Sequence, residues 1–295
     1  MSQLSFAVPS KGRLKEQCES FFADAGLELA TATGARGYSG VMPAAPDVDL
    51  QFRSASEIAA NIVSGEIHLG VTGADLLHEA VADLRRHAFM LLPLGFGHAD
   101  IVVAVPGAWL DVETMADLDD VAAIHEARTG SRLRVATKYV RQTRTFFDKC
   151  GVGHYRIVES AGATEGLPAA GGAEVIVDIT STGATLVGNG LKILADGVIR
   201  RSEAWLCASL TADWTEEAQG ALARLLRELD ARDAGRRFSV VEFEPSFDVS
   251  GMDGLRLDLI GPGVGVSPTA EADEVAQRLR ARGAGDVRLS RRDFI

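Results

Sequence analysis

The chain is poor in cysteine. Its three thiols, Cys18, Cys150 and Cys207, are odd in number and far apart. Such spacing excludes a disulfide framework and a paired metal-ligand motif, and it fits a reducing, cytoplasmic setting. Long apolar runs are also missing: none approaches the roughly 20 residues of a membrane span. The first residues lead directly into Leu4-Ser5-Phe6-Ala7-Val8, without the basic segment and apolar core of a signal peptide. Positive charge is in deficit, with 30 Lys and Arg against 41 Asp and Glu and a net charge of −11. That balance argues against nucleic acid or an anionic membrane as the main partner. A phosphorylated small molecule is still compatible, since it needs only a local basic cluster. The six histidines form no His-x-x-x-His set. No Gly-Lys-Ser or Gly-Lys-Thr ending marks a triphosphate P-loop. No internal repeat or low-complexity segment is visible.

What remains is an ordinary globular composition, 46% hydrophobic and 24% charged. The length suits two domains at roughly 150 residues each. One stretch stands out, Ala173-Glu174-Val175-Ile176-Val177-Asp178-Ile179-Thr180-Ser181-Thr182-Gly183-Ala184-Thr185-Leu186. Val175, Ile176 and Val177 are a β-branched run typical of a strand covered on both faces. Asp178 falls at the expected strand end, which presents its carboxylate at an edge. Thr180, Ser181 and Thr182 can cap the helical amides that follow. Gly183 lets the backbone approach a ligand. Amides at a helix start favour an anion, and a carboxylate beside them suits vicinal hydroxyls. Phosphate plus diol describes a ribose 5-phosphate. The same grammar occurs at purely structural junctions, so the stretch alone leaves both readings open.

The rest of the chain repeats this strand–turn–helix pattern. Strands are expected at 4–8, 48–52, 67–71, 100–106, 133–138, 155–159, 204–208, 238–243, 255–260 and 287–289. Helices are expected at 15–25, 57–63, 114–118, 140–149, 186–191, 215–232 and 272–281, with Ser54 or Ser56 as a cap and Gly235 as a stop. Residues 32–46 and 91–97 read as loop and corner, and 244–268 is too rich in Gly and Pro for a helix. Alternation of this kind means an α/β protein whose ligand site lies at the carboxyl ends of its strands. The turn at Pro9-Ser10-Lys11-Gly12-Arg13-Leu14 carries two cations and is a second anion candidate. His68 is expected to pack inside a strand.

Six segments occur in order: Pro-Ser-Lys-Gly-Arg-Leu at 9–14, Arg-Ser-Ala-Ser-Glu-Ile at 53–58, Leu-Gly-Val-Thr-Gly-Ala-Asp-Leu-Leu at 69–77, Leu-Gly-Phe-Gly at 94–97, Arg-Val-Ala-Thr-Lys-Tyr at 134–139 and Val-Asp-Ile-Thr-Ser-Thr-Gly-Ala-Thr-Leu-x-x-Asn-Gly-Leu at 177–191. Together they closely resemble the ATP phosphoribosyltransferases, which open histidine biosynthesis. The resemblance covers roughly residues 4–230. His98-Ala99 departs from the Cys-Arg frequent after the 94–97 corner in relatives.

The resemblance implies a two-lobed fold like the type II periplasmic binding proteins, with a small α+β C-terminal extension. Lobe I would be residues 1–102 and 199–234, and lobe II residues 103–198 with the phosphoribosyl pyrophosphate (PRPP) loop. Residues 235–295 would form a reduced regulatory domain. Asp178, Thr180, Ser181, Thr182, Gly183, Ala184, Thr185 and Arg36 are implied PRPP contacts. Arg53, Lys11 and Asp178 are the implied catalytic groups, and Arg13, Thr72, Gly73, Asp75 and Lys138 the implied ATP contacts. Mg²⁺ is the implied cofactor, held mainly by substrate phosphates, with no protein ligand assigned. The implied partners are ATP and PRPP, in a dimer, a hexamer or a hetero-oligomer with a synthetase-like regulatory subunit. Histidine inhibition through the extension is a further implication. The competing reading is a two-lobed binding or regulatory relative without catalysis.

Overall fold

The computed structural model describes residues 3–32, 39–160, 162–250, 252 and 254–291. Arg36 lies outside them. In chain order the first elements are β1 Leu4–Pro9, α1 Gly12–Ala23, β2 Ala30–Thr31, β3 Ser39–Val41, β4 Val48–Arg53, α2 Ala55–Ser64, β5 Leu69–Gly73, α3 Ala74–Ala80 and β6 Ala88–Pro93. Then come β7 Ala99–Pro106, α4 Met115–Thr129, β8 Leu133–Thr137, α5 Val140–Cys150, β9 Tyr155–Glu159, β10 Val175–Thr180, α6 Ala184–Gly188 and β11 Leu191–Ser202. The last are β12 Ala204–Ser209, α7 Glu216–Arg237, β13 Phe238–Glu242, β14 Asp258–Gly261, β15 Val264–Pro268, α8 Ala272–Ala281 and β16 Arg288–Arg291. They group into two compact units, one drawn from residues 5–18 and 51–214, the other from 1–4, 19–50 and 215–295.

The first of these units holds two sheets. In one, β1 runs parallel to β5, with Phe6 opposite Leu69. The returning strand β12 lies antiparallel between β5 and β6, where Leu206 faces Val71 on one side and Leu92 on the other. Helices α2 and α3 cover this sheet through Ile58, Ala59, Ile62 and Leu77, packed on Ala7 and Cys207. Ser54 begins α2 with a capping box: its Oγ accepts from Glu57 N–H at 3.2 Å, and Glu57 accepts from Ser54 N–H at 2.9 Å.

The second sheet has the order β11-β7-β10-β8-β9. Strands β10, β8 and β9 are parallel, while β7 runs antiparallel to β10 and to β11. Alternation sends Val175 and Val177 into one core with Ile101, Val103 and Val105. Ile176 enters the core on the opposite face with Val102 and Ala104. The β-branched run is therefore buried on both faces, as its composition required. The chain passes between the two sheets through two antiparallel neighbours, β7 outward and β11 back.

Some boundaries differ from the sequence pattern. Helix α4 extends to Thr129, well past the expected 118, because only Met115, Leu118 and Ala122 are buried and the rest shows no apolar stripe. Strand β11 was not expected; its bulges, between Ile193 and Val198 and again before Arg200, break the alternation that would reveal it. Strand β6 occupies part of the expected corner at 91–97.

In the other unit, β2 and β3 make a short antiparallel ribbon. Helix α7 runs through Gly235 to Arg237, so that glycine does not stop it. A helix tolerates one interior glycine at a cost of roughly 1 kcal/mol. The C-terminal sheet is antiparallel, with order β14-β15-β13-β16. Helix α8 packs on it through Val275, Ala276 and Leu279, against Val241, Phe243 and Met252. That strand order is the one a βαββαβ unit adopts. Among the described residues between β13 and β14 there is no helix, and Phe247, Val249, Leu255 and Leu257 turn into the same core. Among the described residues no helix is long and apolar enough to cross a membrane.

Candidate functional site

The turn after β10 is built from its own hydroxyls. Thr180 Oγ1 accepts from Gly183 N–H at 2.9 Å, and Thr182 Oγ1 from Ala184 N–H at 3.3 Å. Gly183 holds φ at +74°, a left-handed conformation that suits glycine. Ser181, Thr182, Ala184 and Thr185 are exposed, while Gly183 is buried beneath them. Helix α6 spans five residues, and the Gly183 and Ala184 amides are taken up by the threonines, so the groups this turn presents outward are its exposed hydroxyls.

Asp178 does not end its strand. It sits opposite Val102 inside β10, two residues before Thr180. The carboxylate is half-buried and its Oδ1 accepts from Ile179 N–H at 2.8 Å. Burial pushes its pKa above the usual carboxylate range, against the pull of that amide and of the Lys138 charge; Glu165 adds to the rise. Lys138 is exposed and its ammonium lies 4.9 Å from the Tyr139 ring centre. The structure thus brings Lys138 into the electrostatic reach of Asp178.

At the other sheet, Lys11, Gly12 and Arg13 are exposed, and α1 starts at Gly12 rather than at the expected residue 15. Ser10 N–H donates to Arg53 O at 2.9 Å, which joins the ends of β1 and β4. Arg53 Nε donates to Gln51 Oε1 at 2.9 Å and Nη1 pairs with Glu66 at 3.1 Å. The Ser54 hydrogen bonds hold the Glu57 pKa down, and the charges of Arg53 and Lys11 lower it further. Both cations therefore act on one carboxylate at the same end of this sheet.

The corner at 72–75 is different. Thr72 is fully buried and its Oγ1 donates to Ala55 O at 2.8 Å. A β-carbon on Gly73 would collide with Asp75 Oδ1. Asp75 is only 4% exposed. Its Oδ2 accepts from Tyr139 OH at 2.8 Å and its Oδ1 from Ser202 Oγ at 2.7 Å. Of the three residues expected to meet ATP here, Thr72 and Asp75 have their side chains spent inside the fold, and Gly73 makes room for the Asp75 carboxylate. Tyr139 and Ser202 were not singled out by sequence reasoning. Tyr139 stands in the quoted 134–139 segment, but nothing local marks its hydroxyl as the partner of a residue 64 positions away.

His68 is occupied elsewhere. It precedes β5; its Nδ1 takes Ser5 at 2.7 Å and its Nε2 meets Asp213 O at 2.9 Å. An open concavity beside β9, lined by Arg144, His154, Tyr155 and Arg156, contains none of the predicted residues. Among the described residues no cluster of three or more His, Cys, Asp or Glu side chains could hold a metal ion.

Fold and site together define a two-lobed α/β protein with its hydroxyl-rich turn and exposed cations at carboxyl ends of strands. The ATP phosphoribosyltransferase (HisG) family model matches residues 54–231. An ATP phosphoribosyltransferase of Caulobacter vibrioides (strain NA1000 / CB15N) is 50% identical over 295 residues, 98% of this chain and 92% of the relative. One from Afipia carboxidovorans is 46% identical over 306 residues, 98% and 93% of the two chains. The chain belongs to the ATP phosphoribosyltransferase family. A solved ATP phosphoribosyl transferase (HisG:HisZ) complex from Thermotoga maritima shares the fold, with a TM-score of 0.59 at 22% identity, over 78% of this chain and 98% of that one.

Proposed function

We propose that this chain transfers the phosphoribosyl group of PRPP to N1 of the adenine of ATP, the first step of histidine biosynthesis. The observation that carries this is 50% identity to an ATP phosphoribosyltransferase across 98% of the chain. In this reaction the bond from C1 to the pyrophosphate oxygen breaks, and its electron pair leaves with pyrophosphate. The N1 lone pair makes the new bond to C1. The ribose carries positive charge between the two events, so catalysis is mainly positioning and charge neutralisation.

In this reading the 180–185 turn holds the 5-phosphate. Asp178 holds the ribose hydroxyls and faces the developing positive charge. Lys11, Arg53 and Arg36 neutralise the leaving pyrophosphate. Arg53 is free to exchange its ion pair, because Glu66 is 60% exposed and such surface pairs are worth about 0–1 kcal/mol. Arg13 and Lys138 are assigned to ATP. Thr72 and Asp75 lose that assignment, since their side chains already have internal partners; Gly73 remains assigned to ATP. Mg²⁺ prefers oxygen ligands and is commonly held by substrate phosphates with one or two carboxylates. The residues present fit an ion carried by the substrates, where it would neutralise phosphate charge.

We keep lobe I at 1–102 with 199–234 and lobe II at 103–198. We expect an oligomer, either a dimer or hexamer of this chain or a complex with a synthetase-like subunit; the solved neighbour is itself a complex. We expect it in the cytoplasm, where its three free thiols stay reduced. The test mixes the protein with ATP, PRPP and Mg²⁺, and follows ultraviolet absorbance beside pyrophosphate release. The two signals should rise together and stop when either substrate is exhausted. Binding of both substrates with no pyrophosphate release would favour the non-catalytic relative.

A further inference from the structure

The geometry points to a clamp: Asp75 and Tyr139 are positioning residues that hold the two sheets at the separation the transfer reaction needs. This rests on the proposed function for its substrates. Its structural basis is independent.

Asp75 begins the helix that follows β5, on the first sheet. Tyr139 stands between β8 and α5, on the second. Their 2.8 Å hydrogen bond is out of solvent, with Tyr139 fully buried. Ser202, the last residue of β11, stands where the chain crosses back. It donates to Asp75 Oδ1 at 2.7 Å and accepts from Asp75 N–H at 3.0 Å. Both donors to the carboxylate thus come from the second sheet. Gln142 Nε2 donates to Asp75 O at 2.9 Å, and Arg200 Nε holds Gln142 Oε1 at 2.7 Å. One turn further along α3, Glu79 accepts the Arg141 and Gln142 amides at 2.8 and 3.1 Å, at the start of α5. Leu76 packs against the cores of both sheets.

A buried network of this kind is strong when every group is satisfied and costly when one is not. The Asp75 carboxylate has both oxygens paired, whereas Arg141 Nη2 in the same network is buried without a partner among the described residues; the paired carboxylate favours one arrangement of the sheets over a range of angles. Burial, then the charge and hydrogen bond of Asp75, raise the Tyr139 pKa above its ordinary value. The Asp178 charge contributes to the same rise, so Tyr139 feels both carboxylates. Lys138, its chain neighbour, acts on Asp178. If the competent arrangement becomes a fraction of the population, apparent substrate affinity falls by that fraction.

The experiment uses Tyr139→Phe, Asp75→Asn and the double variant, with the unmodified chain assayed in parallel. Tyr139→Phe keeps the ring and removes the donor. Its kcat/KM for PRPP should fall about tenfold, a population tax of the same size. The double variant should be no worse than the more damaged single variant. Cys150 is exposed and the other two thiols are buried, so a spin label on Cys150 with a second on Asp83→Cys spans the two sheets. Without substrate the parent should show one distance, Tyr139→Phe a broad set, and PRPP should narrow that set again. Unchanged distances and unchanged kcat/KM, with only a lower melting temperature, would overturn the clamp. Additive losses in the double variant would overturn the pairing. An inactive parent that still shows the label contrast would remove the proposed function and leave the clamp standing.

Discussion

Two corners of this molecule are written almost alike. Val71-Thr72-Gly73-Ala74-Asp75 and Thr180-Ser181-Thr182-Gly183-Ala184-Thr185 each end a strand, pass a threonine and a glycine, and start a short helix. Both carry hydroxyls, and a carboxylate lies beside each. Yet Thr72 and Asp75 are buried and bonded to Ala55, Tyr139 and Ser202. Ser181, Thr182 and Thr185 are exposed, and the Thr180 and Thr182 hydroxyls only shape their own turn. The two glycines also serve different ends. Gly73 leaves room for a folded-back carboxylate, whereas Gly183 supplies a left-handed backbone. A polar corner is available to a ligand when its hydrogen bonds are unspent, and burial decides that.

The contrast breaks most sharply at Asp178. Asp178→Asn should lower kcat by about 10²–10³-fold, the scale of losing one electrostatic stabiliser. It should also stabilise the fold at neutral pH. Burial raises the folded pKa, so the folded state holds its proton more tightly than the unfolded chain does. The stability this provides is fully present below the unfolded pKa and is lost as pH rises through the raised folded value. The neutral amide avoids that loss. Denaturation from pH 4 to pH 8 should therefore show the variant's advantage shrinking towards acid. An advantage that grows towards acid would reverse the assignment.

Gly73→Ala comes next. The new β-carbon must displace the Asp75 carboxylate, and overpacking of this kind costs about 1–3 kcal/mol. Urea unfolding should read that loss. Unaltered stability would mean the corner is looser than described.

Thr72→Val and Thr180→Val test the matched threonines. Thr72→Val removes the hydrogen bond to Ala55 O, costing about 0.5–1.5 kcal/mol. KM for ATP should stay within about twofold, since a spent hydroxyl has no share in ligand affinity. A raised KM with intact stability would return Thr72 to the ATP site. Thr180→Val should have the smallest effect on stability, about 0.5–1 kcal/mol for a turn hydrogen bond, and should raise KM for PRPP. No change in KM would detach the turn from the phosphate.

Much of the fold was legible. The Val175–Val177 run, a cap at Ser54 and a helix at 272–281 all express local preferences, and each formed where the pattern put it. Strand β11 and the second half of α4 were not, because bulges blur one and solvent faces most of the other. The candidate site divides in the same way. Lys11, Arg53, Lys138 and the 180–185 turn were visible as residue types at strand ends. The partners of Asp75 were not, since Tyr139 and Ser202 lie 64 and 127 residues away.

By itself the sequence determined the alternation of strands and helices, the lack of a disulfide framework and the order of motifs that marks the family. These are properties of composition and short-range pattern, where each residue's preference acts within a few neighbours. Only the tertiary structure decided which polar corner faces outward and which is consumed within. Burial and hydrogen-bond partnership depend on chain segments brought together from far apart, and no local pattern encodes which donor will arrive.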